Sequence, residues 1–150
     1  MAEPEQRAAV VREAESWLGT PYHHHGKIKG VGVDCGQILI KVYSAVGLCD
    51  DFDTGYYAPQ WSLHHSAEQY LAWVKRYARQ VAQPTGPGDF VLWQFGRTLS
   101  HSCIIVDWPG KVIHAHRAAG MVEWADASKA PFLDGDGQPR RHAFFTLWGG

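Results

Sequence analysis

Apolar residues recur along the first half of the chain at helical spacing. Val10, Val11, Ala14, Trp17 and Leu18 form one stripe, so residues from about 5 to 18 read as an amphipathic helix stopped by Gly19 and Pro21. Ile38, Leu39, Val42 and Val46 form a second stripe, with Asp34 positioned to cap its start and Gly47 to end it. Ser66-Ala67-Glu68-Gln69 has the form of a capping box, and Tyr70, Leu71, Val74, Tyr77 and Ala78 carry a third stripe to about Arg79. From Pro84 the period changes. Residues 90–93, 102–106, 112–115, 121–124 and 143–147 are short β-rich runs separated by Gly, Pro or Asp turns. Helices followed by a meander of strands predict one α+β domain over residues 1–150, with an antiparallel sheet packed on the N-terminal helices.

Composition narrows the function classes. Hydrophobic residues make up 45% and charged residues 19% of 150 positions, an ordinary globular balance that supports a real core. The formal net charge is −1, and no basic cluster extends beyond Arg140-Arg141, so nucleic acid is not an expected partner. No apolar run approaches the roughly 18 to 20 residues that span a bilayer. Residues 1–17 mix Glu3, Glu5, Arg7, Arg12, Glu13 and Glu15 with apolar positions, unlike a secretory leader, which points to synthesis in a cytoplasm. Three cysteines, Cys35, Cys49 and Cys103, leave at least one unpaired and have neither disulfide-framework nor zinc-ribbon spacing.

The segment Gly30 to Ile40 places Cys35 where a turn runs into an apolar helix. Unpartnered N–H groups and the positive end of the helix dipole favour a thiolate there, whereas a small buried hydrophobe is the plain alternative. Cysteine catalysis also needs a base and a group that fixes its tautomer. His101 opens one strand candidate and His114 lies within the next, so adjacent antiparallel strands would set the two imidazoles side by side. Strand side chains alternate, so His116 shares a face with His114 and the pattern alone does not separate them.

Trp17-Leu18-Gly19-Thr20-Pro21-Tyr22, Asp34-Cys35-Gly36, Pro87-Gly88-Asp89, Ser100-His101 and Ile113-His114-Ala115 occur in this order. Together they resemble the NlpC family of papain-like cysteine peptidases, over nearly the whole chain. The resemblance implies a papain-like NlpC-type fold with Cys35 as nucleophile, His101 as base, His114 as orienting member and Tyr22 beside the cysteine as an oxyanion donor. It also implies hydrolysis of a peptide bond in bacterial cell-wall stems, commonly that between D-γ-glutamyl and a diamino acid, with no cofactor. Gly36 stands where many relatives have Ser, and His23-His24-His25-Gly26 replaces an Arg/Trp-Gly-Gly pattern. The histidine run, with residues 30–37 and 57–64, is similar to the phage and prophage branch, which implies tail proteins as partners and incorporation into a virion. Two further readings stay open: a tail-assembly protein acting through a partner, and an amidase or acyltransferase that passes the same thioester to another acceptor.

Asp34 and His23, which border the cysteine and the tyrosine in sequence, are assigned to the substrate side together with Tyr57 and Trp61 of an irregular aromatic loop. The adjacent histidines 23–25 project in different directions and are read as cleft loop rather than metal site. Cys103 reads as core filling, and Asp134-Gly135-Asp136-Gly137 as a polar turn rather than a calcium loop.

Overall fold

A computed structural model describes residues 1–51, 74–96 and 99–149. The predicted capping box at 66–69, the start of the third helical stripe, and Tyr57 and Trp61 lie outside these residues; the described part of that stripe is one helical turn at 74–77. Among the described residues, α1 (Glu3–Glu15), α2 (Cys35–Ala45) and the turn at 74–77 precede the main sheet. Between α1 and α2 a small hairpin pairs β1 (Lys27–Ile28) with β2 (Gly32–Val33), an element too short for any periodicity to announce. The sheet comprises β3 (Arg79–Val81), β4 (Phe90–Gln94), β5 (Leu99–Asp107), β6 (Lys111–His116), β7 (Met121–Ala125) and β8 (His142–Thr146). Its order is β3-β8-β4-β5-β6-β7, with every pair antiparallel.

Helix ends follow local chemistry. Gly19 and Gly47 have φ of +82° and +83°, the left-handed region that glycine enters without a Cβ penalty; Gly47 directly follows the Val46 cap of α2, whereas α1 ends at Glu15, short of the expected residue 18, and Gly19 closes the turn after it. Arg79, expected to close a helix, instead opens β3, because the pairing of residues 79–81 with β8 supplies the ladder that a helix end would lack.

Strand alternation gives the sheet two cores. On one face Phe90, Leu92, Ile104, Ile113, Ala115 and Phe145 pack against Val10, Ala14 and Trp17 from the first helical stripe and Ile38, Leu39 and Val42 of α2. On the other, Val91, Trp93, Cys103, Ile105, Val112 and Phe144 are covered by Ala127 and Phe132 from the long connection before β8. Cys103 is completely buried in this second core, as its core-filling role requires.

The Pro87-Gly88-Asp89 motif ties the helical layer to the sheet. Gly88 has φ of +89° and donates to the Ile105 carbonyl at 2.8 Å, while the Tyr43 hydroxyl of α2 donates to the Gly88 carbonyl at 2.6 Å. Asp89 accepts from Arg7 of α1 at 3.1 Å. These contacts fix where α2, and therefore Cys35, stands over β5.

Candidate active site

Asp34 is the N-cap of α2. Its Oδ1 accepts from the N–H groups of Gly36 at 3.1 Å and Gln37 at 2.9 Å, and its Oδ2 from the His25 N–H at 2.7 Å. The side chain assigned from sequence to the substrate side is therefore turned inward, 3% exposed, onto backbone donors: a helix start offers unpartnered N–H groups, and a carboxylate satisfies them best. His25 adopts φ of +65° to reach it. His23 is exposed, with its ring Nδ1 3.0 Å from the His24 carbonyl oxygen, and its Cβ lies where a Cβ on Gly32 would come within 2.7 Å, so the His loop and β2 cross at a glycine.

Cys35 is the first residue of α2 and is only 5% exposed. Its thiol donates to the Ser100 carbonyl at 3.6 Å, and the Ser102 hydroxyl donates to the Cys35 carbonyl, so the helix start is stitched to β5 on both sides of His101. Burial, then the Asp34 carboxylate, pushes the thiol up to about 12, against the pull of the Ser102, Cys35 and Gly36 N–H groups. The thiolate expected from the helix start is thus not the resting form. The donors that favour the anion are present, but removing the sulfur from water outweighs them.

The imidazoles form a chain. His101 Nε2 lies 2.7 Å from His114 Nδ1, and His114 Nε2 lies 2.9 Å from Glu123 Oε2. Glu123 sits directly across the β6–β7 ladder from His114, which is why its carboxylate meets that ring. His116, the competitor for the third position, points its Nδ1 to the same Glu123 oxygen at 3.4 Å and stacks on His114 at 4.8 Å. Register and bonding therefore put His114, not His116, against His101. Phe95 stacks on the His101 ring at 4.5 Å, and Phe132 lies 5.4 Å from His114. In these apolar surroundings burial holds His101 well below its ordinary value and brings His114 down to about 4, Glu123 opposing the shift at His114.

Both rings are therefore neutral at pH 7, which fixes their tautomers. A carboxylate only accepts, so His114 carries its proton on Nε2 and has a bare Nδ1. That nitrogen accepts from His101 Nε2–H, leaving His101 Nδ1 bare and able to take a proton. Glu123, which ends this chain of rings, is the residue that sequence reading missed. Its signal was its place in the Met121 to Ala125 run, visible only once the β6–β7 register is known.

Tyr22 lies near enough to Cys35 and Asp34 to feel both. Its N–H donates to the Gly120 carbonyl at 2.8 Å, and the backbone bridges to Val33 just before Asp34. Burial, then the nearby Cys35 and Asp34, raises the phenol above its ordinary value, so it remains a protonated donor. Cys35 thus meets β5 through the Ser100 carbonyl and the Ser102 hydroxyl on either side of His101, while the His101 and His114 rings meet each other between β5 and β6. Asp134, by contrast, accepts from the Asp136 and Gln138 N–H groups at 2.8 and 3.0 Å, forming the polar turn read from sequence.

No family model and no curated protein matches the chain. Solved structures do. The NlpC/p60 domain of the peptidoglycan hydrolase SagA is 25% identical, with a TM-score of 0.55 over 91% of this chain and 96% of that one. The peptidoglycan hydrolase RipB from Mycobacterium tuberculosis is 18% identical, with a TM-score of 0.63 over 98% of this chain and 67% of its own. RipD from the same organism, described as a non-catalytic NlpC/p60 domain protein adapted to peptidoglycan binding, is 12% identical, with a TM-score of 0.58 over 95% and 98%. The chain has the NlpC/p60-type papain-like fold, and its ordered motifs resemble that family from Trp17 to Ala115.

Proposed function

We propose that this protein is a cysteine peptidase that hydrolyses peptide bonds in bacterial cell-wall stems. The observation that carries the reading is the chain of groups at the α2–β5 junction: a cysteine at a helix start, flanked by a protonated tyrosine, beside a strand whose histidine has a bare Nδ1 set by its neighbour. Because RipD pairs this fold with a non-catalytic role, the fold alone does not argue for catalysis; the reading is supported by a cysteine at a helix start together with the hydrogen-bonded His101–His114–Glu123 chain.

In the proposed reaction the thiol turns from the Ser100 carbonyl toward His101 Nδ1 and gives up its proton as sulfur attacks the scissile carbonyl carbon. Proton transfer accompanies attack, since neither a free thiolate nor an imidazolium is stable in the resting site. The tetrahedral oxyanion is held by the Tyr22 hydroxyl and the Cys35 N–H. His101 then passes its Nδ1 proton to the leaving amine, and water, activated by the same nitrogen, releases the acyl group from sulfur. His114 and Glu123 hold the tautomer throughout.

The bond cut is proposed to be D-γ-glutamyl to diamino acid, and the protein to act from a phage tail; the first rests on the motif resemblance, the second on residues 23–26 and 30–37. Mass spectrometry of muropeptides incubated with the wild type and with Cys35→Ala tests the reaction. New termini from wild type alone are expected and identify the bond, whereas equal products from both proteins would overturn the assignment.

A further inference from the structure

His114, His116 and Glu123 converge on one point behind the histidine pair. Residues 114 and 116 share a face of β6, and Glu123 faces them from β7. Their donor atoms, one per residue, all lie within 4.8 Å of one another, and the two that reach Glu123 Oε2 do so at 2.9 and 3.4 Å. In a tetrahedral zinc site with bonds of about 2.0 to 2.1 Å, neighbouring donor atoms stand roughly 3.3 Å apart. The two distances to Glu123 lie within about half an ångström of that value, and the His114 and His116 donor atoms stand no more than 4.8 Å apart. The side chains of His116 and Glu123 are 17% and 34% exposed, so an ion has access from solvent and a fourth ligand position can hold water. The other convergent set, His101, Cys103 and His114, is wholly buried and offers no such approach.

We infer that His114, His116 and Glu123 form a binding site for zinc or a similar divalent transition metal, and that its occupation switches the enzyme off. The inference rests on the proposed peptidase reaction for its consequence, but not for the binding itself. A neutral imidazole that ligates a metal through Nε2 carries its proton on Nδ1. Metal at His114 Nε2 therefore turns His114 Nδ1 from acceptor into donor toward His101 Nε2, 2.7 Å away. His101 answers by holding its own proton on Nδ1, the nitrogen that must be bare to take the thiol proton. Two protons change nitrogens and none is lost, yet the base is blocked without anything touching Cys35.

The test uses zinc and cobalt(II) chlorides with the full chain. Titration calorimetry on the Cys35→Ala/Cys49→Ala double variant, which lacks the reactive and the half-exposed thiols, is expected to show one zinc per chain. Cobalt(II) on the same protein is expected to give a tetrahedral visible spectrum without a thiolate charge-transfer band. His116→Ala in that background is expected to weaken binding at least about tenfold. With wild type, one equivalent of zinc is expected to lower kcat at least tenfold with KM unchanged, reversibly by chelator, and His116→Ala is expected to retain basal activity while shifting the inhibition midpoint upward. No zinc uptake by the double variant, or a thiolate band placing the ion on Cys103, overturns the site. One zinc bound with undiminished wild-type turnover overturns the switch. A wild type that shows no turnover in any metal-free condition removes the peptidase reading, while the calorimetry and the cobalt spectrum still decide the site.

Discussion

Among the described residues, the polar cluster around Arg7 and that around Cys35 treat charge in opposite ways. Around Arg7 every group is matched: the guanidinium bonds Glu3 at 2.9 Å, the Pro87 carbonyl at 3.0 Å, Asp89 at 3.1 Å and Thr85 at 2.9 Å, and lies 4.2 Å from the Trp148 ring centroid. Asp89 in turn accepts from the Thr85 N–H and hydroxyl at 2.6 and 2.7 Å. Around Cys35 the groups are equally enclosed but are held neutral, the thiol pushed up and the imidazoles pushed down. A saturated ion pair is a staple, whereas neutral groups one proton transfer away from charge are a reserve for chemistry.

Removing one member from each cluster separates these roles most sharply. Cys35→Ala is expected to reduce turnover to background while leaving thermal stability within about 1 kcal/mol of wild type, since a small buried side chain replaces another. Asp89→Ala strands the Arg7 guanidinium and is expected to cost about 3 to 5 kcal/mol, lowering Tm by about 10 °C, while turnover per folded molecule persists at low temperature. Thermal denaturation beside a muropeptide assay reads both. A large loss of stability in Cys35→Ala, or turnover vanishing in folded Asp89→Ala, would erase the distinction.

A second effect follows from the resting thiol. If Cys35 formed a stable ion pair with His101, its alkylation by iodoacetamide would already be at a plateau near neutral pH. With the thiol up at about 12, the rate is expected instead to climb about tenfold per pH unit, or roughly 1,000-fold from pH 7 to pH 10, without levelling. Cys49, pushed up to about 11 by burial and by Asp50 and Asp51, serves as an internal comparison and is expected to bend at the lower pH of the two. Peptide mapping of both adducts across pH makes the measurement; a plateau for Cys35 below pH 8 contradicts the neutral resting pair.

Much of this molecule could be read before folding. The helix of Cys35, its Asp34 cap, its Gly47 stop and the five later strand regions follow from apolar spacing and from residues with one strong backbone preference. What escaped has a common cause, since it depends on contacts between distant segments. The β1–β2 hairpin has two-residue strands, and β3 exists because β8 pairs with it. Asp34 was legible as a cap, but not that its second oxygen accepts from the His25 N–H, nine residues away. The position of Cys35 announced helix-start donors without showing how completely the sheet would bury it. His114 and His116 were indistinguishable until register paired His114 with Glu123.

That pairing gives the smallest and most discriminating prediction. Glu123 acts through His114, one ring behind the base, so its removal should cost far less than loss of the nucleophile. Glu123→Ala leaves His114 free to exchange tautomers, and only the form with Nδ1 bare keeps His101 competent. The expected result is a fall in kcat of about 10- to 100-fold with KM unchanged, the range typical when a group that orients a functional histidine is lost. Because the Glu123 side chain is 34% exposed, added formate has a route to the vacated position and is expected to restore part of kcat. A merely structural Glu123 predicts the reverse: lower stability, turnover per folded molecule unchanged, and no response to formate. Rescue by formate in Glu123→Ala but not in Cys35→Ala would show that this carboxylate works through a proton position, the property that sets the Cys35 cluster apart from the Arg7 staple.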